Sequence, residues 1–243
     1  MNRSLLMSLT CTLVGVSLQT VLMSRTWGYE AIEVKNGGTI SGEVIFVGSP
    51  PTPEKVTVTK DQQACGKTEK VDESLLVGPN NGVQNVVVSI TDIQKGKKMG
   101  ETAVTLDQKD CRYAPHIVLL PAGAELKILN SDGILHNIHT HSTQNPPFNR
   151  AQPKFKKEID EKFPSAETVK VVCDVHGWMN GWVVVESNPY YTVTDANGAF
   201  TITDIPPGDY AVKFWQERLG ETTRKVSVKA NEDTKVAVEM VKK

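Results

Sequence analysis

From Thr39 to Met240 the chain never sustains a 3.6-residue apolar period; short runs of β-branched and aromatic residues end every few positions at Gly, Pro, Asn or Asp. A helix needs an apolar stripe that returns every three or four residues, whereas a half-buried strand needs only alternation and a fully buried one a short continuous run. The pattern predicts an all-β chain. Strands are expected at Thr39–Val47, Lys55–Thr59, Val83–Thr91, Ala103–Leu106, Ile117–Leu120, Ala124–Asn130 and His136–His141. More are expected at Thr168–Cys173, Gly181–Glu186, Tyr191–Thr194, Ala199–Ile202, Gly208–Gln216, Thr223–Lys229 and Thr234–Met240. So many short strands call for β-sandwiches, and 243 residues leave room for two small ones. The stretch from Gln144 to Pro164, with Pro146-Pro147, Pro153 and the charge run Lys154 to Lys162, predicts a long surface excursion.

The N-terminus has the composition of an export signal. Asn2-Arg3-Ser4 supplies a short positive region, and Leu5 to Met23 is mostly apolar, diluted by Ser8, Thr10, Ser17, Gln19 and Thr20. Residues 1–31 are therefore expected to be a signal peptide. The alternative is an uncleaved anchor helix, because the segment is long and Tyr29-Glu30 lacks the small residues of a cleavage site. The expected location is periplasmic or otherwise extracytoplasmic, with membrane contact only through an uncleaved N-terminus. The 27 basic and 28 acidic residues are interspersed and give a net charge of −1, so no basic stripe offers a footprint for nucleic acid.

Export makes the cysteines informative. Without Cys11 the chain keeps Cys65, Cys111 and Cys173, an odd number in a compartment where disulfides form. Cys65 and Cys111 sit in polar, loop-like surroundings, whereas Cys173 ends the run Val169-Lys-Val-Val and is followed closely by a histidine. The expected disulfide is Cys65–Cys111, which leaves Cys173 for a metal.

The stretch Cys173-Asp-Val-His176-Gly-Trp-Met179 between two strand signals offers a thiolate, an imidazole and a thioether from one loop. Soft sulfur suits Cu(I), imidazole suits both copper states, and a trigonal His₂Cys set with a weak axial Met belongs to electron-transfer copper; zinc would make poor use of the Met. The second imidazole is expected from His136, at the end of Asn130-Ser-Asp-Gly-Ile-Leu.

Tyr113-Ala-Pro115, Pro121-Ala-Gly123, Asn130, His136-Asn137 and then Cys-x₂-His-x₂-Met follow one another as they do in the cupredoxins of the plastocyanin and amicyanin group, which residues 102–187 resemble. The resemblance implies a Greek-key sandwich holding one type 1 copper. It assigns His136, Cys173 and His176 as equatorial ligands, Met179 as axial ligand, and Asn137 as a residue that ties down the Cys loop without binding metal. The aromatic residue that commonly precedes the Cys is replaced here by Val171-Val172, and the region between the ligand strands is longer and more basic than usual.

A second resemblance lies downstream. Thr194-Asp-Ala-Asn-Gly198-Ala-Phe200, read as strand, tight turn and strand, and then Ile205-Pro-Pro-Gly-Asp-Tyr210 resemble the carboxypeptidase regulatory-like, or transthyretin-like, β-sandwich. Such a module needs about seven strands, more than residues 188–243 supply. Gly38-Thr-Ile-Ser-Gly42-Glu-Val44 and Val86-Val-Val-Ser-Ile90 resemble its missing strands. The expected organisation is a module of residues 36–100 with 188–243 into which the copper sandwich is inserted, with separate flanking pieces as the alternative.

These features predict a single-electron carrier serving a redox protein partner such as a cytochrome or dehydrogenase. Two other readings are a copper carrier or store, and a binding module using the C-terminal sandwich with copper as a structural element. No nucleophile with a base and an orienting partner is recognisable, so an enzyme is not expected. Strand parity puts His139 and His141 on the face opposite His136, as polar surface residues. His116 is expected to be a satisfied histidine at a sheet end, and Tyr113, Trp178 and Trp182 to be packing residues.

Overall fold

A computed structural model describes residues 28–100 and 103–242. Residues 1–27, with most of the predicted signal and Cys11, and residue 102, where the expected copper sandwich begins, lie outside the described residues. In chain order the strands are β1 (Glu30–Ala31), β2 (Gly38–Phe46), β3 (Val87–Ile90), β4 (Lys95–Gly96), β5 (Val104–Lys109), β6 (Arg112–Ala114), β7 (Ile117–Pro121), β8 (Glu125–Asn130) and β9 (His136–His141). They continue with β10 (Asn149–Gln152), β11 (Glu158–Lys162), β12 (Glu167–Val172), β13 (Asn180–Glu186), β14 (Tyr191–Val193), β15 (Ala199–Ile205), β16 (Gly208–Gln216), β17 (Gly220–Val228) and β18 (Asp233–Met240). Among the described residues the fold is all-β, with one helical turn, α1 (Gln62–Cys65), and a 3₁₀ turn at Pro79–Asn81. No helix among the described residues is long and apolar enough to cross a membrane.

Four sheets stack through three apolar layers. Sheet β11-β8-β5-β6 faces sheet β10-β9-β12-β13-β7, and sheet β14-β3-β16-β17 faces sheet β15-β2-β18. Leu106, Leu126, Ile128, Ile138, Val169, Val171 and Val183 fill the first sandwich. Ile40, Val44, Val88, Ile90, Phe200 and Phe214 are among those that fill the second. Between the sandwiches lies a smaller layer built on Val87, Ile117 and Val184, with Trp182 and Trp215 edge to face at 5.0 Å. This explains the continuous apolar runs in β3, β7 and β13. Val118 and Leu120 point into one core while Ile117 points into the layer between, so both faces of the strand must be apolar.

The second sandwich is assembled from distant segments. Strand β2 pairs with β15 on one side and runs parallel to β18 on the other, while β3 pairs with β14 and β16. The Asn197-Gly198 turn forms, with Gly198 at φ +74° and an added Cβ 2.3 Å from the Val44 carbonyl oxygen, a place only glycine fills. The flanking strands do not make the hairpin that the motif suggests: β14 joins one sheet and β15 the other.

Two expectations are corrected. Lys55–Thr59 is not a strand; only Lys55 bridges, to Val71, within a strap that leaves β2, crosses the first sandwich and returns to β3. The Gln144–Pro164 stretch is not a surface excursion but carries β10 and β11, which edge the two sheets of the first sandwich. Edge strands tolerate proline and charge because one side faces water. Gln152 and Ile159 are the residues these strands bury.

Candidate metal centre

Strands β9 and β12 are neighbours, with His139 opposite Val172, so the first residue of β9 and the residue following β12 come together at one end of the sandwich. His136 opens β9, Cys173 follows β12, and the loop to β13 carries His176 and Met179. That loop closes on itself: the Met179 N–H donates to the His176 carbonyl at 2.8 Å, and the Cys173 N–H to the Met179 carbonyl at 3.0 Å. Local sequence thus supplies Cys173, His176 and Met179 on one loop, and sheet register brings His136 beside Cys173 and His176.

His136 Nδ1 lies 3.0 Å from His176 Nδ1, and His176 Nδ1 lies 3.8 Å from Cys173 Sγ. The three groups form a potential metal-holding set, with His136 and His176 fully buried and Cys173 2% exposed. Separations of this size suit one ion about 2.0–2.3 Å from each donor. Met179 is buried at the head of the same loop and packs in the first sandwich's core. One soft and two borderline donors fit copper by donor chemistry.

Asn137 is the clasp of the loop. Its Oδ1 accepts the Asp174 N–H at 2.8 Å and the Val175 N–H at 3.4 Å, and lies 3.3 Å from Cys173 Sγ. Its own carbonyl accepts the buried Tyr113 hydroxyl at 2.6 Å, which joins the site to β6. Burial alone would raise the Cys173 thiol, but the His136 imidazole and the backbone N–H groups of Asn137, His176 and Val175 lower it toward thiolate. Burial alone would lower His136, but hydrogen bonds to Asp132 and Cys173 raise it to about 9. His176 is lowered, chiefly by burial, against the pull of Asp61. A metal ion held at Nδ1 of His136 would stand where that ring otherwise holds a proton.

Sequence reasoning missed the two carboxylates that hold the far side of each ring. Asp132 Oδ2 accepts from His136 Nε2 at 2.8 Å, and Asp61 Oδ2 from His176 Nε2 at 2.9 Å. A carboxylate on one ring nitrogen fixes the tautomer and leaves the other nitrogen for a metal. The Asp132-x₃-His136 spacing was a local signal. Asp61 had none beyond its place four residues before Cys65.

The Cys65–Cys111 disulfide is present. Cys111 and Asp110, both with positive φ, form the β5–β6 turn, and their N–H groups donate to the same Asp132 carboxylate. Cys65 ends the helical turn that begins after Asp61. The disulfide thus joins the supports of both histidines. Trp178 lies against His176 at 5.1 Å between ring centroids and donates to the Cys111 carbonyl. His116 is half satisfied: Nε2 pairs with Glu217 at 2.5 Å across the two sandwiches, while Nδ1 has no hydrogen-bond partner. His139 and His141 face outward, away from the ligand cluster.

Comparison with known proteins gives partial likenesses. No curated protein matches the chain. Among solved structures, a copper-containing nitrite reductase from Thermus scotoductus SA-01 is similar over 41% of this chain and 25% of its own, at 17% identity and TM-score 0.33. The chain thus spans about a quarter of that reductase. A Cu(I) amicyanin variant is similar over 35% of this chain and 82% of its own, at 23% identity and TM-score 0.31. A purple cupredoxin from Nitrosopumilus maritimus is similar over 35% of this chain and all of its own, at 21% identity and TM-score 0.30. Residues 182–241, which run from β13 through β18, match the carboxypeptidase regulatory-like domain family.

Proposed function

We propose that this chain is an exported carrier of single electrons that uses one copper ion held by His136, Cys173 and His176, with Met179 as a weak fourth donor. The observation that carries this reading is the convergence of two imidazole Nδ1 atoms and one sulfur in a closed cluster. Copper bound there would supply a one-electron change between Cu(II) and Cu(I). Asp61, Asp132 and Asn137 fix the rings and the Cys loop, so the donors need little movement between the two states. Cys173 and both histidines are buried, which suits electron exchange through the protein better than binding of a substrate to the metal. A disulfide in the described chain supports a location outside the cytoplasm, periplasmic or equivalent. A redox protein such as a cytochrome or dehydrogenase is the partner this function requires.

We read the chain as a carboxypeptidase regulatory-like module, residues 36–100 with 188–243, interrupted by a copper sandwich at 102–187. Pairing of β2 with β15 and β18 and of β3 with β14 and β16 supports that organisation. The test of function is an absorption spectrum of the protein after addition of Cu(II), followed by voltammetry. An intense visible thiolate-to-copper band, absent in Cys173→Ser, and a reversible one-electron wave are expected. A wild-type protein with neither would overturn the reading, and a band without the reversible wave would favour storage over transfer.

A further inference from the structure

Alternation along β9 sends His136, Ile138 and Thr140 toward the interior and leaves His139 and His141 on the outer face. The two outer imidazoles are stacked, with ring centroids 4.8 Å apart and planes 28° from parallel. His139 Nδ1 lies 3.1 Å from Asp174 Oδ1. A carboxylate only accepts, so the contact fixes Nδ1 as the donor and turns Nε2 outward as the nitrogen open to a metal ion. Asp174 is itself held, since its second oxygen accepts from Asn149 Nδ2 at 2.6 Å and Asn137 Nδ2 at 3.2 Å. Lys170 stands opposite His141 and projects from the same face of the sheet, with its ammonium 6.0 Å from the ring centroid of Trp182 on the next strand, β13. Lys170 thus leans toward β13 rather than pairing with His141.

We propose that His139 and His141 form a second, exposed site for a divalent transition-metal ion, separate from the buried cluster. His139 Nε2 and one nitrogen of His141 are the ligands, water completes the coordination, and Asp174 orients His139 without binding the ion. Two imidazoles two residues apart on one strand face can chelate a single ion, and χ2 of an exposed histidine rotates easily enough to close the gap between stacked rings. Imidazole donors of this kind favour Cu²⁺ over Zn²⁺ and Co²⁺ by the usual affinity order. The proposal does not depend on what the buried cluster holds.

The test is a Cu²⁺ titration of the untagged full chain, followed by electron paramagnetic resonance and by metal content after dialysis. Wild type is expected to take up one equivalent with a tetragonal signal and nitrogen hyperfine splitting, beyond any copper in the buried cluster. The double variant His139→Ala, His141→Ala should bind one equivalent fewer with the buried cluster's spectrum unchanged. Asp174→Asn should weaken the tetragonal equivalent about tenfold. Retention of the tetragonal signal in the double variant, or its absence from wild type, would overturn the site. Failure of the buried copper centre would show separately, as loss of the thiolate band in wild type with the tetragonal equivalent still sensitive to His139 and His141.

Discussion

His176 Nε2 lies 2.9 Å from Asp61 Oδ2, although 115 residues of chain separate them. Asp61 belongs to the strap that crosses from the second sandwich, and its backbone is left-handed at φ 49°, ψ 41°. From there the strap turns through α1 into Cys65 and the disulfide. A buried imidazole of the first sandwich is therefore oriented by a segment threaded from its neighbour.

Asp61→Asn isolates the effect of that carboxylate. Asparagine accepts a left-handed backbone about as well as aspartate, so the turn should survive while the charge is lost. Copper affinity is expected to fall 10- to 100-fold, the usual cost of losing such an orienting partner, with little change in thermal midpoint. Competition against a chelator of known affinity measures it. Unchanged affinity would reduce the Asp61 contact to a surface hydrogen bond.

The disulfide is expected to support both stability and site. Removing the link between Cys65 and Cys111, 46 residues apart, should lower unfolding free energy by roughly 2–4 kcal/mol through the looser unfolded chain. In Cys65→Ser, Cys111→Ser the strap also loses its anchor beside Asp61. Urea unfolding of the metal-free double variant reads the first effect, and chelator competition the second. A full-stability variant would show that packing alone holds the strap.

How far this architecture is legible in the sequence depends on the distance over which each feature is encoded. The loop from Cys173 to Met179 is local and could be read from spacing, whereas His136 joined it through the cupredoxin resemblance, because its place beside the loop depends on which strand ends are neighbours. The Cys65–Cys111 pair was accessible because an odd cysteine count leaves few choices. Asp61 was not, since a lone loop carboxylate looks like any solvated charge until the strap's path is known. Strands β10 and β11 were hidden by proline and lysine, which mark loops in central sheet positions but are permitted on edges. The separation of β14 from β15 was hidden for a different reason: a tight turn fixes chain reversal, not which sheet each arm joins.

Acid should loosen the rim near β12. Glu167 accepts hydrogen bonds from the backbone and side chain of Thr143 and from the backbone and side chain of Asn145. Burial would raise its carboxyl, but these donors hold it down at about 2 against an ordinary 4.5. A depressed carboxylate stabilises the fold fully above its unfolded value and loses that contribution as pH falls toward the folded value. The window is therefore pH 4.5 to 2. With solvent screening, the contribution at neutral pH is about 1–2 kcal/mol. Glu167→Gln should lower stability at pH 7 and flatten the dependence below pH 4.5. Parallel curves for the two proteins across that window would exclude Glu167 as the source.

Met179 separates electron transfer from simple retention of metal. Its backbone closes the loop through Cys173 and His176, and its side chain is buried beside Trp178 at a cleft floor facing Val56 of the strap. Leucine nearly conserves its volume, so Met179→Leu should cost less than about 1.5 kcal/mol of stability. Compared with an apolar leucine, even a weak and soft axial donor lends electron density that the more highly charged Cu(II) gains more from than Cu(I). With it gone, His136, Cys173 and His176 should still hold copper and keep the visible band, while the reduction potential rises. His136→Ala, by contrast, removes a strong donor and should bleach or abolish the site. If Met179 were only core filler, the leucine variant would show altered stability with no change in potential. Voltammetry of wild type and Met179→Leu decides between them, and an unchanged potential would remove Met179 from the donor set.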